Sequence, residues 1–430
     1  MKLMLFAFGV LVACCSSVSA TCSLQLQDPV PIVVKHFGSK SAIIKKSINS
    51  VTLDLNETMT FHCPTGLCMQ NRNYNNDLTK INAITAEFKC TNEGINIDGH
   101  TIDSNAYDTY IRCCSDYSQT IYESNSSLPG CDSDAMSLLI GYSVQDLQDV
   151  KLLGLCYELG ASRVRFVSFL AYAPSNLLLE SRIEHELSAL NFDTNIGNLI
   201  KYFRYPSEDQ FQQLLRENQK QLGDLFNPQL FEYNSLLQDE KQSKELASYK
   251  DMLSIVWLKQ LRVGNWMHFI NALRASSDAG AERYDVRLGV SGVAAMPSSP
   301  NCNNTAMLQL KSSDDLSLQI PAQIWAHVRT LEPTGEPSDE FVVVAHNSPY
   351  ANIAELSSFC VDMCNEIPWL RNSLFGQLHL LPMYGVVHCC RIDQLDKLTD
   401  FPVSHLPPPP PPLPLTTTTT ERTAPPLLLL

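Results

Sequence analysis

Hydrophobic and polar positions along the 430 residues repeat with two different periods. In the first third, SVTLDL (50–55) and TMTFHC (58–63) put apolar side chains at every second position, the period of a half-buried strand. From residue 136 the apolar runs lengthen, and SLLIGYSV (137–144), KLLGLCYEL (151–159) and RVRFVSFLAYA (163–173) read as strands of a meander. SEDQFQQLLRENQKQL (207–222) changes to a helical period: Ser207 suits an N-cap, Glu208 and Asp209 the first turn, and Phe211, Leu214, Leu215 and Leu222 share one face. The helical period is also read through KELASYKDMLSIVWLKQL (244–261), on Leu246, Tyr249, Leu253 and Val256 or Trp257, and again through WMHFINALRASS (266–277). DVRLGVSGVAA (285–295), LSLQIPAQIWAHVR (316–329) and EFVVVAHNS (340–348) follow as strands, and IAELSSFCVDMCNEI (353–367) as a helix. Helices interleaved with antiparallel strands give an α+β class.

The ends have their own texture. Residues 1–20 carry a Lys, an apolar run from Leu3 to Val12 and small residues up to Ala20, the pattern of a secretory signal peptide. That run is shorter than the ~20 residues a spanning helix needs, so a secreted chain without a membrane span is expected. From 403 to 430 a run of prolines, five threonines and a closing PPLLLL make a low-complexity tail that cannot bury a core. Between them, 21–135 is expected to be a cysteine-rich β module and 136–402 a mixed α/β domain.

Charge and cysteine content narrow the class. A net charge of −14 opposes non-specific attraction to polyanions, whose affinity rests on Lys and Arg neutralising phosphates. Of the 15 cysteines, Cys14 and Cys15 leave with the signal peptide; most of the rest should pair in an oxidising compartment. Cys63, Cys68, Cys90, Cys113, Cys114, Cys131, Cys156, Cys360, Cys364, Cys389 and Cys390 are the disulfide candidates, and the vicinal pairs should each send their two sulfurs to different partners. Sequons at Asn56, Asn125 and Asn303 fit a glycosylated surface.

A family resemblance arises from the order of segments. FKCTNEGINIDGHTIDSNAYDTYIRCC (88–114), SLLIGYSV through LCYE, FRYPSEDQFQQLL (203–215) and ASYKDMLSIVWLKQLRVGNW (247–266) are followed by VVVAHNSPY, CVDMCNEIPWL and LPMYGVVHCCRIDQLDKL. This succession resembles the secreted animal DNA/RNA non-specific endonucleases, the ββα-metal nucleases of the Serratia-nuclease type, over nearly the whole chain up to Pro402. The resemblance implies a ββα-metal domain, nucleic acid as partner, Mg²⁺ as cofactor and phosphodiester hydrolysis. In that chemistry a His general base activates water and the cation stabilises charge on phosphorus and the leaving oxygen. The family's base lies in Asp-Arg-Gly-His, its metal ligand is the Asn of Asn-x-Gly-x-Trp, and a Glu one turn later supports the hydrated metal.

Matched residue by residue, this chain departs from each motif. LLQDEKQSKEL (236–246) stands where Asp-Arg-Gly-His is expected, Arg262 stands at the metal Asn, and Ile270 at the Glu. Gly264 and Trp266 keep the pattern. A cation in a metal ligand's place is serious, because two like unit charges ~4 Å apart cost about 4 kcal/mol at an effective dielectric of ~20. Losing the base forfeits a further ~10²- to 10⁴-fold. The expectation is therefore a family member that is catalytically inactive or weak, with Arg262 as a phosphate-binding candidate and no intact metal site.

Two alternatives stand beside it. One is an extracellular binding or structural protein with a protein partner, on a nuclease-like scaffold. The other is an active divergent endonuclease using His268 or Asn265; the Asp98-Gly99-His100 triplet mimics the lost motif but lacks its Arg. Cys360, Cys364, His379, His388, Cys389 and Cys390 can be written as a zinc set, against which secretion favours disulfides. No serine-hydrolase elbow, P-loop or dinucleotide fingerprint occurs.

Overall fold

The structure, a computed structural model, describes residues 21–402 apart from internal stretches, the longest at 72–77, 103–108, 144–149, 172–177, 180–184, 298–304 and 351–355. The expected signal peptide, the tail, Asp98, Gly99, Cys302 and Asn303 lie outside the described residues. The chain divides into two compact units, one reaching Ser118 and including 174–181, the other comprising 119–173 and 182 onward. The division falls earlier than residue 135, because the strand Thr120–Glu123 pairs with Met136–Tyr142 and so belongs to the second unit.

The first unit is built from short strands. Among the described residues it holds a five-stranded and a seven-stranded sheet. All neighbouring strands are antiparallel except Thr21–Leu26 with Thr109–Cys113. The alternation of residues 50–54 and 58–62 is realised as exposed–buried alternation, with Val51, Leu53, Met59 and Phe61 inside. Disulfides Cys22–Cys90, Cys63–Cys113 and Cys68–Cys114 close this unit. The vicinal pair 113/114 thus goes to two partners, since consecutive residues along extended chain point to opposite sides.

The second unit is organised around a nine-stranded antiparallel sheet, counted among the described residues. The expected meander forms its middle: Met136–Tyr142, Val150–Glu158, Arg163–Leu170, Tyr284–Ser291, Gln323–Thr330 and Glu340–His346 are successive neighbours. Alternate side chains of these strands enter two different apolar clusters, so both faces are covered and both positions of the pleat can be apolar. Glu208–Leu222 is a helix capped by Ser207 in a capping box with Gln210, and its Phe211, Leu214 and Leu215 are buried. Met267–Ala279 is the helix expected after Gly264.

Three sequence readings are corrected. The helix expected over 244–261 is a short helix Glu240–Glu245, a single turn Ala247–Tyr249 and then a strand, Ser254–Leu258. Every residue of that strand is buried; an unbroken apolar run with β-branched members suits a strand covered on both sides, and periodicity alone does not separate it from a buried helix. LSLQIPAQIWAHVR is two strands, Ser317–Gln319 and Gln323–Thr330, divided at Pro321, which has no N–H for a ladder. The described part of the 353–367 segment is chiefly turn, with a 3-10 turn at Cys364–Glu366. There the Asp362 carboxylate accepts the Cys364 and Cys389 amides, and disulfides Cys360–Cys390 and Cys364–Cys389 tie the segment to the Val387–Cys390 strand. Cys131–Cys156 completes this unit's bridges among the described residues.

Candidate functional site

The hairpin of Phe231–Ser235 and Ser254–Leu258 leads through Lys259–Leu261 into the Met267–Ala279 helix, a strand–strand–helix order. The helical path is broken at Gly264, whose φ of −97° and ψ of −118° are not helical. A Cβ at residue 264 would lie 2.4 Å from the Tyr384 carbonyl oxygen, so only glycine lets the two backbones meet. Arg262 and Trp266 are therefore separated by a kink and do not share one continuous helical face.

Beyond the kink, Trp266, Phe269, Ile270 and Leu273 are buried at helical spacing. Trp266 packs against Trp257 of the hairpin. Ile270, at the position where the resemblance places a Glu, is thus a core residue.

Before the kink, Arg262 donates through all three guanidinium nitrogens. Its Nε donates to Glu232 Oε1 at 2.5 Å, its Nη2 to Glu232 Oε2 at 3.1 Å and its Nη1 to Gln238 Oε1 at 2.9 Å. Arg274 pairs with buried Asp239, which also caps the Glu240–Glu245 helix by accepting the Gln242 amide at 2.8 Å. Glu232, Gln238, Asp239 and Arg274 were not singled out from the sequence. Only Asp239 left a signal, an N-cap residue ahead of a short helix.

Asn265 is buried, and its side-chain amide donates to the Gly385 carbonyl at 2.6 Å and reaches the His379 carbonyl at 3.4 Å. It therefore bridges the two ends of the 379–385 turn. Its Oδ1 has no hydrogen-bond partner among the described residues. His268 is half-buried with its ring 6.1 Å from that of Tyr384, and burial lowers its pKa. Asn265 and His268 are neighbours in sequence, but one is locked into a backbone clamp and the other packs against a tyrosine.

Asp362, Cys364 and His379 bring three donor atoms within 4.8 Å of one another. His379 Nε2 lies 3.5 Å from Asp362 Oδ2, and that carboxylate, outweighing burial, raises the His379 pKa. Burial pushes Asp362 upward, but His379 and the two amides it accepts prevail and hold its pKa down. Cys364 is spent in its disulfide, as are Cys360, Cys389 and Cys390, so none offers the thiolate a zinc site needs. His388 instead meets His346, Nδ1 to Nε2 at 3.2 Å.

The remaining sequence candidates lie elsewhere. Asn56, at a turn with φ of 67°, and Asn125 are both exposed. His100 opens a strand of the first unit.

These residues do not fit a hydrated divalent cation at the Arg262 position. A guanidinium stands where the resemblance would put an oxygen ligand, and the Glu232 carboxylate is consumed by it. No protein-family model and no curated protein matches the chain. No helix of the described residues is long and apolar enough to cross a membrane.

Proposed function

We infer that this chain is a secreted, non-cleaving relative of the DNA/RNA non-specific endonucleases, with the strand–strand–helix scaffold kept and metal-dependent hydrolysis lost. The observation that carries the reading is the bidentate Arg262–Glu232 pair. It puts a neutralised ion pair where the resemblance requires an oxygen ligand and a cation. The buried Ile270 supports it, because no carboxylate arises from the helix one turn after Trp266. Glu232 and Gln238 take three of the five N–H donors of the Arg262 guanidinium and Glu232 offsets its charge, which argues against its use as a phosphate anchor.

The test is direct. Purified full-length protein incubated with supercoiled plasmid or structured RNA and Mg²⁺ should leave both intact. Digestion that EDTA abolishes would overturn the proposal. The second reading, an extracellular binding protein, is favoured by the apolar turn that Asn265 clamps, because a binding surface gains from a turn held in shape before the partner arrives.

A further inference from the structure

Residues 380–383, Leu-Leu-Pro-Met, are four successive exposed positions. Leu380 is 69%, Leu381 42% and Met383 71% exposed, and Val263 is 53% exposed. Gly264 touches the Tyr384 carbonyl, so Val263 and Met383 each precede a point of backbone contact between their two segments. The apolar cluster is thus drawn from both sides of the kink.

The turn is held in shape from beneath. Asn265 reaches the carbonyls at both its ends. Leu381, Tyr384 and Gly385 donate amides to Leu378, Leu381 and Pro382. Gly385 has φ of +93°, and a Cβ there would lie 2.6 Å from Leu261 Cδ1. Isolated exposed leucines are ordinary, whereas several on one rigid turn mark an interaction surface.

The charge around the turn selects the partner. The chain has 45 carboxylates, yet residues 252–277 and 367–392, the two segments that supply this surface, contain none. They carry exposed Lys259 and Arg371, neither of which has an ion-pair partner among the described residues. The carboxylates that pair with these segments among the described residues, Glu232, Asp239, Asp362 and Glu366, are met by Arg262, Arg274, His379 and Arg391. An apolar turn whose two supporting segments carry exposed Lys259 and Arg371 and no carboxylate, on a molecule otherwise strongly negative, has the chemistry that a bilayer interface with acidic headgroups attracts: apolar side chains for the acyl boundary and cations for the headgroups.

We propose that the 380–383 turn, with Val263, is a peripheral docking site for phospholipid surfaces that carry anionic headgroups. This inference is independent of the nuclease-like reading. The test is flotation of the full-length protein with phosphatidylcholine vesicles and with vesicles that also contain phosphatidylserine. Wild type should float with the second kind and only weakly with the first.

The double substitution Leu380→Ser with Met383→Ser should weaken binding by about tenfold or more, as the loss of two inserted apolar side chains requires. Lys259→Gln and Arg371→Gln should each cost about fivefold on the serine-containing vesicles and little on phosphatidylcholine. All four side chains are exposed, so an unchanged thermal midpoint will show that the variants fold. Absence of wild-type flotation, or equal flotation of the serine variant, overturns the proposal. So does a concentration-dependent dimer that the serine variant abolishes while vesicle binding persists, which would assign the turn to a second copy.

Discussion

Arg262 and Glu232 form a two-pronged ion pair across 30 residues of chain, from the start of the hairpin to the turn before the central helix. Both side chains are largely shielded, at 17% and 19% exposure, so the pair is a packed element of the structure and each partner is costly to leave alone.

Arg262→Ala should lower stability by about 1–3 kcal/mol in urea unfolding, because Glu232 and Gln238 lose their donors together. Arg262→Lys should recover only part, since a lysine cannot present a planar fork. A double-mutant cycle with Glu232→Gln should return a coupling of about 1 kcal/mol or more, and a coupling near zero would show the pair to be incidental.

Asn265→Ala should cost about 1–3 kcal/mol, as the Gly385 carbonyl loses its donor in a buried setting. Asn265→Asp should cost more, because it replaces that donor with an acceptor that would carry charge into the interior. Equal stability of the two variants would contradict the clamp.

Gly264→Ala should destabilise by at least about 2 kcal/mol, since the added carbon meets the Tyr384 backbone, which cannot rotate away. Gly160→Ala is the matched control: nothing lies within 4 Å of the position, and a change within ~0.5 kcal/mol is expected. Chemical denaturation of the two variants side by side decides the matter.

Acid sensitivity should centre on His346. Burial first, and then the facing His388, push its pKa down to about 3, from 6.5 when unfolded. A base whose folded pKa is depressed binds fewer protons folded than unfolded between those limits. Its contribution is therefore complete above pH ~6.5 and is lost as pH falls towards ~3, at up to about 1.4 kcal/mol per unit. The urea midpoint should fall from pH 7 to pH 4, and His346→Gln should flatten that slope. An unchanged slope in the variant would place the acid sensitivity elsewhere.

Much of the architecture was legible in the chain. The capped helix Glu208–Leu222 and the meander strands announced themselves because capping chemistry and alternation are local, needing only neighbours in sequence. The Ser254–Leu258 strand did not, since after Ser254 every position of SIVWL is apolar and satisfies either period; its pairing with Phe231–Ser235 decided it. At the candidate site, Arg262 and Ile270 could be picked out by spacing from Trp266. What Arg262 touches could not, because Glu232 and Gln238 lie far back along the chain and are brought close only by the hairpin's register.

The sequence by itself determined the disulfide-rich α+β character, the division of strands and helices in most of the second unit, and the presence of a cation, Arg262, four residues before Trp266. Only the tertiary structure decided that this cation is neutralised, that Asn265 is a clamp, and that two carboxylate-free segments meet at one apolar turn. The physical reason is range. Periodicity, capping and residue chemistry act within a few positions, whereas an ion pair, a backbone contact at Gly264 and a shared surface depend on which distant segments the folded sheet brings together.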